Sequence, residues 1–316
     1  LVDQNLIYYG RKPIHWCIHC RTALADAEIN YAPHTSHTMT VKFKLVTPPI
    51  DAQMPVYALV WTTTTRFLPA NVGLAVNPEH AYVFIDTGDS IAVMAADADR
   101  VAGPVIHTCM GRDLIYGEAT HPFLDKRVPL GGAAFVTATD GTGIVHIAPG
   151  HGDVDHQLGM QLNWPVLMPV GDDGCYTTGL FTGQSILEIA PVIEAELIKR
   201  QTLANQAKRQ HSYPHCWRCQ QPVIVRATPQ WFIALDRPLK TGETLRHATL
   251  RALDTIQWVP EAGHNRMKAM IENRPDWCLS RQRYWGIPIP LNQCGACGYF
   301  TADRQSVRCP ECDSLL

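Results

Sequence analysis

A mixed α/β protein is predicted, with a strand-rich, barrel-like domain inserted into a second structure and small zinc-binding elements beside it. Three observations predict it. Apolar residues alternate with polar ones over residues 38–46, the period of a half-buried strand, and further strand-like segments follow as far as Ile147. Cys17/Cys20 in W-C-I-H-C-R and Cys216/Cys219 in P-H-C-W-R-C-Q are C-x-x-C pairs with similar flanks. Two thiolates three positions apart fill half of a tetrahedral zinc site, so the two pairs together close one site and make residues 21–215 an excursion. A second set, Cys294/Cys297 and Cys309/Cys312, is separated only by Gly298 to Arg308, the compact spacing of a structural zinc ribbon.

The elements follow in order. Residues 38–46 place Met39, Val41, Phe43 and Leu45 on one strand face and Thr40, Lys42 and Lys44 on the other. Val56–Trp61, Ala81–Asp86 and Ile91–Ala95 read as further strands, the last two joined by the turn residues Asp86-Thr87-Gly88-Asp89. Ala133–Ala138 and Gly143–Ile147 continue the strand pattern. Between Ser185 and Arg200 the period changes to that of a helix, with Ile189, Ile193 and Leu197 on one face, Pro191 near its start and Lys199/Arg200 at its end. After the second C-x-x-C, P-V-I-V-R-A-T-P-Q-W-F-I-A-L suits a buried strand. Asn273–Pro290 mixes Arg, Trp and turn residues too densely for simple core.

Composition excludes several classes. The 316 residues are 46% hydrophobic and 18% charged, the balance of a folded domain rather than a disordered or membrane-embedded chain. No apolar run approaches the roughly 18–20 residues of a transmembrane helix. The start, Leu1-Val2-Asp3-Gln4, is neither an initiator Met nor a signal peptide, so a piece of a longer chain is expected. Eight of the 11 cysteines fall in C-x-x-C pairs, which fits thiolates on two zinc ions in a reducing cytoplasm better than disulfides. Cys109, Cys175 and Cys278 are read as buried or inert thiols. The net charge of −2 gives no hint of a polyanion partner, but Leu197–Leu235 holds no acidic residue and carries Lys208, Arg209 and Arg218. Beside a zinc knuckle such a stretch is either a solvated face or a phosphate-contacting surface.

Two segments combine polar groups with bent backbone. Trp61-Thr62-Thr63-Thr64-Thr65-Arg66 follows an apolar strand, and hydroxyls at a strand end can line a polar pocket; plain β-branched strand continuation is the competing reading. In G-T-G-I-V-H-I-A-P-G-H-G-D-V-D-H, residues 141–156, a strand runs into a loop bent by Pro149, Gly150 and Gly152 that carries His and Asp side chains. The spacing matches no common metal-ligand pattern, so a substrate pocket with acid, base or ammonium-binding groups is the better reading.

W-T-T-T-T, G-T-G-I-V-H-I-A-P-G-H-G-D-V-D, H-S-Y-P-H-C-W-R-C, R-A-T-P-Q-W-F and N-R-P-D-W-C-L-S-R-Q-R-Y-W-G-I-P stand in the order found in isoleucyl-tRNA synthetases. Essentially the whole chain resembles that class I family. The last motif is shared with the valyl and leucyl enzymes, whereas H-S-Y-P-H-C-W-R and R-A-T-P-Q-W-F point to the isoleucine family. The resemblance implies an editing insertion, connective peptide 1, within a Rossmann-like synthetic domain, with tRNA-Ile as partner and valine or isoleucine as the acyl group. It implies these bounds: residues 1–35 as the first half of a zinc knuckle and the lead into the insertion, and 36–205 as the editing domain. Residues 206–222 are then the second knuckle half, 223–290 part of the synthetic domain and 291–316 the ribbon.

By the same resemblance, Thr62, Thr63 and Thr64 match the threonine-rich editing motif and Asn71 falls on a motif position. His146 matches a histidine lining the aminoacyl pocket, and Asp155 matches the aspartate that holds the substrate α-ammonium group, a role its charge suits. The family motif continues T-T-T-P-W-T-L-P-A-N, whereas this chain reads T-T-T-T-R-F-L-P-A-N, so Thr65, Arg66 and Phe67 depart from it. The H-I-G-H and K-M-S-K-S type motifs are absent, so ATP and Mg2+ are expected only in a longer parent. A monomer is expected. A missing methylene changes binding by about 1–3 kcal/mol, a range whose standard example is this family's own isoleucine/valine pair, which is why a second pocket is needed. Water is the expected nucleophile, since neither editing segment contains Ser or Cys. The competing functions are the editing region of a valyl or leucyl enzyme and a non-enzymatic zinc-ribbon module that binds nucleic acid.

Overall fold

The computed structural model describes residues 1–99, 101–139, 141–303 and 305–315, and the chain divides into two compact units. One is Lys12–Ala227; the other joins Leu1–Arg11 to Thr228–Leu316. In chain order the strands are β1 (Ile7–Cys17), β2 (Thr22–Leu24), β3 (Ile29–Leu45), β4 (Val56–Thr62), β5 (Gly73–Val76) and β6 (Ala81–Asp86). Then come β7 (Ile91–Ala95), β8 (Val105–Met110), β9 (Glu118–Thr120), β10 (Arg127–Gly132) and β11 (Ile144–Ile147). Helices α1 (Asp153–Gln161) and α2 (Ala190–Lys199) precede β12 (Leu203–Cys216) and β13 (Ile224–Ile233). The chain ends with α3 (Leu245–Leu253), α4 (Ala262–Asn273), β14 (Trp277–Cys278), β15 (Asn292–Gln293) and β16 (Phe300–Thr301).

In Lys12–Ala227 a ten-stranded sheet runs β11-β5-β10-β9-β3-β4-β7-β6-β8, with β12 added beside β3. The fold is mixed and strand-rich as expected, but among the described residues the ladder is open at β11 and β8 and forms no closed barrel. The alternation read over 38–46 is the C-terminal half of β3, where Met39, Val41 and Phe43 are buried. β6 and β7 fall on the expected residues and pair antiparallel. On α2, Ile193 and Leu197 are fully buried, with Ile189 at the N-cap equally so, which is the apolar face read from the 3.6 period.

Two elements differ from the sequence expectation. Ala133–Ala138 is not a strand; pairing stops at Gly132, and Val136 N–H closes a turn on Ala133 C=O at 3.3 Å. The Asn77 side-chain amide donates to the carbonyls of Ala134 and Val136 at 3.3 and 3.0 Å, in place of a neighbouring strand. The basic stretch after α2 is itself a long strand: β12 pairs antiparallel with β3 from Leu203↔Val41 to Cys216↔Ile29. Both of its faces are largely polar, so no alternation announced it. This ribbon returns Cys216 to the neighbourhood of Cys17, where both pack with Leu24, Ile29 and Val223.

In the second unit the end of β13 pairs with β14, Phe232 facing Cys278, and Tyr8 stacks on Phe232 at 5.4 Å. Helix α3 is capped by Thr244, whose side chain accepts from the His247 N–H at 3.2 Å. Within Asn273–Pro290, Tyr284, Trp285 and Ile287 stand exposed, in keeping with a segment that is not core. β15 and β16 form a two-stranded ladder beside Cys294 and Cys297. No helix among the described residues is long and apolar enough to cross a membrane.

Candidate active site

Strand β4 carries its apolar residues into the sheet and delivers Thr62, buried, at its end. On the other side β11 pairs with β5 through His146↔Leu74 and carries His146 inward. Gly143, at the entrance to β11, has φ +71°, and a Cβ there would lie 2.3 Å from the Ala95 Cβ. Only glycine allows β11 to start this close to β7. The two segments meet: Thr62 Oγ1 lies 3.1 Å from His146 Nε2, 3.3 Å from Thr64 Oγ1, and accepts the Thr64 N–H at 3.0 Å.

After β11 the chain turns through Pro149 and Gly150 into α1, whose N-cap is Gly152. Asp155, in the first turn, accepts the Ala148 N–H at 2.8 Å, which ties the helix start back to the strand end. A Cβ on Gly152 would lie 2.9 Å from the Asp155 carboxyl carbon, so the carboxylate packs where a side chain would otherwise stand. Burial raises the Asp155 pKa above the ordinary carboxylate value, while the Ala148 N–H acts the other way. The helix N-terminus also favours the anion. Burial pushes His146 down to about 4 and His151 down to about 3, so both imidazoles are neutral at pH 7.

Thr62, Thr63, Thr64, His146 and Asp155 line one cavity of about 320 Å³, together with apolar groups including Phe67, Phe135 and Val136. That size admits a small amino-acid side chain on an ester, with polar groups confined to a few positions. Asn71 is not part of the lining. It is fully buried, and its side-chain amide donates to the carbonyls of Gly73 at 2.7 Å and Ile147 at 3.4 Å, bracing the start of β5 against the end of β11.

The departing residues also have defined places. Phe67 stacks on His151 with ring centroids 4.0 Å apart. The Arg66 guanidinium lies over Phe67 and donates to the Tyr213 hydroxyl at 2.7 Å, and Tyr213 donates in turn to the Val223 carbonyl at 3.0 Å. Tyr176 OH donates to the Arg66 carbonyl. The pocket wall here is therefore an Arg–Phe–His stack. Sequence reasoning assigns no role to Phe135 or His151. His151 lies within the H-G-D loop signal, but nothing local marks Phe135.

Of the basic residues, Lys208, Arg209 and Arg218 are exposed. Arg209 lies over the indole of Trp61 at 5.4 Å, and Trp61 lines the cavity, so one cation of this face reaches the pocket rim. Arg218 lies over Trp217. Arg226 is different: it is buried, stacks over Trp16 and pairs with Asp172 at 2.6 Å.

Cys17, Cys20, Cys216 and Cys219 form one cluster and Cys294, Cys297, Cys309 and Cys312 another, their sulfurs all within 4.8 Å of one another in each. The Cys17–Cys219 separation is 3.5 Å, and Cys294–Cys312 and Cys297–Cys309 are 3.6 and 3.5 Å. Zn–S bonds of about 2.3 Å in a tetrahedron set sulfurs roughly 3.8 Å apart, so both clusters fit a four-thiolate zinc ion.

The sequence model of the class I tRNA synthetases for isoleucine, leucine, methionine and valine matches residues 1–307. An isoleucine–tRNA ligase of Persephonella marina is 41% identical over 312 residues, covering 96% of this chain and 33% of the relative. One from Thermotoga neapolitana is 42% identical over 319 residues, covering 97% and 34%. The chain thus spans about a third of the length of these relatives. Among solved structures, the editing domain of the P. knowlesi cytosolic leucyl-tRNA synthetase is similar with a TM-score of 0.45 and 9% identity, over 54% of this chain and 95% of that one.

Proposed function

The chain belongs to the class I tRNA synthetases, and from that premise we propose that Lys12–Ala227 hydrolyses valine from mischarged tRNA-Ile and from valyl-adenylate. The observation that carries this reading is the single cavity in which the threonine run after β4 faces His146 and Asp155. Asp155 would hold the α-ammonium group by a charge-assisted hydrogen bond. His146, fixed against Thr62, would stand beside the acyl side chain and exclude the extra methylene of isoleucine. Water would attack the ester carbonyl carbon, the carbon–oxygen bond to the ribose would break, and the water's proton would pass to the ribose oxygen. Among the described residues none that lines the cavity is Ser, Cys or Lys, and the Thr62 hydroxyl is engaged with His146 and Thr64, which favours water over a side-chain nucleophile. ATP-dependent charging with Mg2+, in a monomeric cytoplasmic enzyme, belongs to the proposed longer protein. The test is the release of amino acid from Val-tRNA, Thr-tRNA and Ile-tRNA by the intact protein. Hydrolysis of Val-tRNA with Ile-tRNA spared supports the proposal; sparing of Val-tRNA points to the valyl enzyme's editing region, and no hydrolysis at all points to a binding module.

The zinc reading gives a second expectation. The first cluster would pin the two ends of the β3/β12 excursion and the second the β15/β16 ladder, both closed by four thiolates with no position left for substrate. Metal analysis of the purified protein should give two zinc ions per chain. Replacing Cys216 by Ser should reduce that to one and lower the melting temperature, whereas an unchanged zinc content would contradict the first site.

The exposed basic face gives a third. Lys208, Arg209 and Arg218 are proposed to bind the tRNA backbone, with Arg209 closest to the pocket through Trp61. Alanine at all three should weaken tRNA binding, and the slope of log K against log salt should shrink by about 0.7–0.9 for each phosphate that is no longer neutralised. An unchanged slope would leave this surface a solvated face.

A further inference from the structure

Arg66 is a cation to which the hydrolytic reading gives no task. It directly follows the threonine run, and its guanidinium lies 5.6 Å from the centre of the Phe67 ring that lines the cavity. Among the described residues no carboxylate pairs with it; its side chain bonds to the Tyr213 hydroxyl through Nη2 at 2.7 Å. Arg226, the other guanidinium acting on His151, is instead neutralised by Asp172 at 2.6 Å. The groups around Arg66 are basic or aromatic. The Tyr213 ring centre lies 5.7 Å from the guanidinium carbon, and His34 packs on that ring at 4.9 Å. His211 and His215 flank the same ring at 5.6 and 6.2 Å. Burial, and then the charges of Arg66, His215 and His211, hold the His34 pKa below its ordinary value. These histidines do not gather as metal ligands: among the described residues only the two cysteine sets bring ligand atoms close enough for an ion.

A guanidinium partly withdrawn from water without a counter-charge carries a desolvation cost that an anion offsets. Arg66 Nε is closed off, whereas Nη1, which has no partner among the described residues, is not. Nη1 and the second proton of Nη2 can therefore still present the planar fork to one anion. Both ring nitrogens of His34 are likewise unbonded among the described residues, and neither is closed off. The substrate narrows the choice of anion. In an aminoacyl ester of tRNA the acylated ribose carries a phosphodiester on its 5′ oxygen, one sugar ring from the acyl group. Arg66 stands one side chain, Phe67, outside the cavity proposed to hold that acyl group. Resting on the hydrolytic reading above, we infer that Arg66, with His34 and Tyr213 beside it, binds the phosphodiester between the last two nucleotides of the charged tRNA. Arg66 occupies a position where the family motif has tryptophan, so this contact belongs to the chain's own departure from that motif.

The experiment measures binding, which keeps it apart from turnover. Dissociation constants are determined on the intact protein at low salt for two probes. One is a non-hydrolysable valylamide of adenosine; the other is the same molecule with a methyl phosphodiester on its 5′ oxygen. Wild type is expected to bind the phosphodiester probe about tenfold more tightly, the scale of one charge-assisted contact, with the ratio shrinking as salt rises. Arg66→Gln, its melting temperature checked, is expected to bring the ratio to within about twofold of one. Arg66→Lys is expected to keep an intermediate ratio, because it retains the charge without the fork. Taking the ratio cancels any change that the substitution makes in the acyl pocket itself. If the glutamine variant does not fold, the wild-type ratio and the lysine variant decide the case. A ratio near one in wild type would overturn the inference, as would a wild-type ratio that persists in Arg66→Gln. A wild-type protein that binds neither probe would sink the hydrolytic reading itself, an outcome visible before any variant is made.

Discussion

Replacing Asp155 by asparagine is expected to lower Val-tRNA hydrolysis roughly 100-fold or more while leaving the fold in place. The carboxylate does two things in this structure: it accepts the Ala148 N–H, and it is the only acidic group lining the cavity among the described residues. Asparagine can keep the first through its side-chain oxygen and gives up the second. Without the charge-assisted hydrogen bond to an ammonium group the ester is also misplaced, and the two together set the size of the effect. Alanine would also strand the Ala148 N–H and disturb the start of α1, so the asparagine variant separates chemistry from scaffolding. Hydrolysis within about threefold of wild type in a folded asparagine variant would remove Asp155 from the site.

The second large effect concerns selectivity. His146→Ala should let correctly charged Ile-tRNA be hydrolysed, raising its rate relative to Val-tRNA by about tenfold or more. His146 is 6% exposed, its Nε2 is fixed by Thr62 and its Nδ1 has no partner among the described residues, so the ring is a wall that cannot swing aside cheaply. Removing it opens space for one methylene. The same variant carries a pH signature. Burial holds the His146 pKa near 4 in the folded state, below the ordinary value of 6.5. A depressed histidine stabilises the fold fully above pH 6.5, and that contribution, at most about 3 kcal/mol, is lost as pH falls from 6.5 toward 4. His146→Ala should therefore be less stable at pH 7 but should lose less on acidification than wild type does. Unchanged selectivity for Ile-tRNA together with an unchanged acid profile would show that His146 neither bounds the acyl pocket nor sits where the structure puts it.

Legibility in the sequence followed the physics of each segment. α2 was readable because burial on one face enforces a period, which Ile189, Ile193 and Leu197 record directly, whereas β6 and β7, buried on both faces, were readable as short apolar runs joined by the turn residues Asp86 to Asp89. The ribbon of β3 with β12 was not, because Lys208, Arg209, Gln210 and Ser212 lie on a strand with little apolar surface on either face; its pairing with β3 supplies what alternation does not. Ala133–Ala138 had strand-like residues, yet Asn77 supplied its hydrogen bonds from a side chain, which no local pattern encodes. In the site, Thr62, Thr63, Thr64, His146 and Asp155 were legible as motif residues, and the structure brings them to one cavity. Asn71 was legible only as a motif position, and its bonds to Gly73 and Ile147 turn it toward the backbone. Phe135 and the stack of Arg66, Phe67 and His151 come from chain segments that meet only on folding, so no spacing could have announced them. The cysteine pairs were legible at long range because zinc geometry restricts which ligands can share an ion.

Central to the proposed function is that the cavity between the threonine run and the β11–α1 loop receives a valyl ester by its ammonium group. The most direct measurement is a crystal structure of the intact protein with a non-hydrolysable valylamide of adenosine. The ligand's ammonium nitrogen is expected within hydrogen-bond distance of the Asp155 carboxylate, with its isopropyl group against the His146 ring. A ligand bound elsewhere on the protein, or one lying in this cavity with its ammonium turned away from Asp155, would contradict that placement.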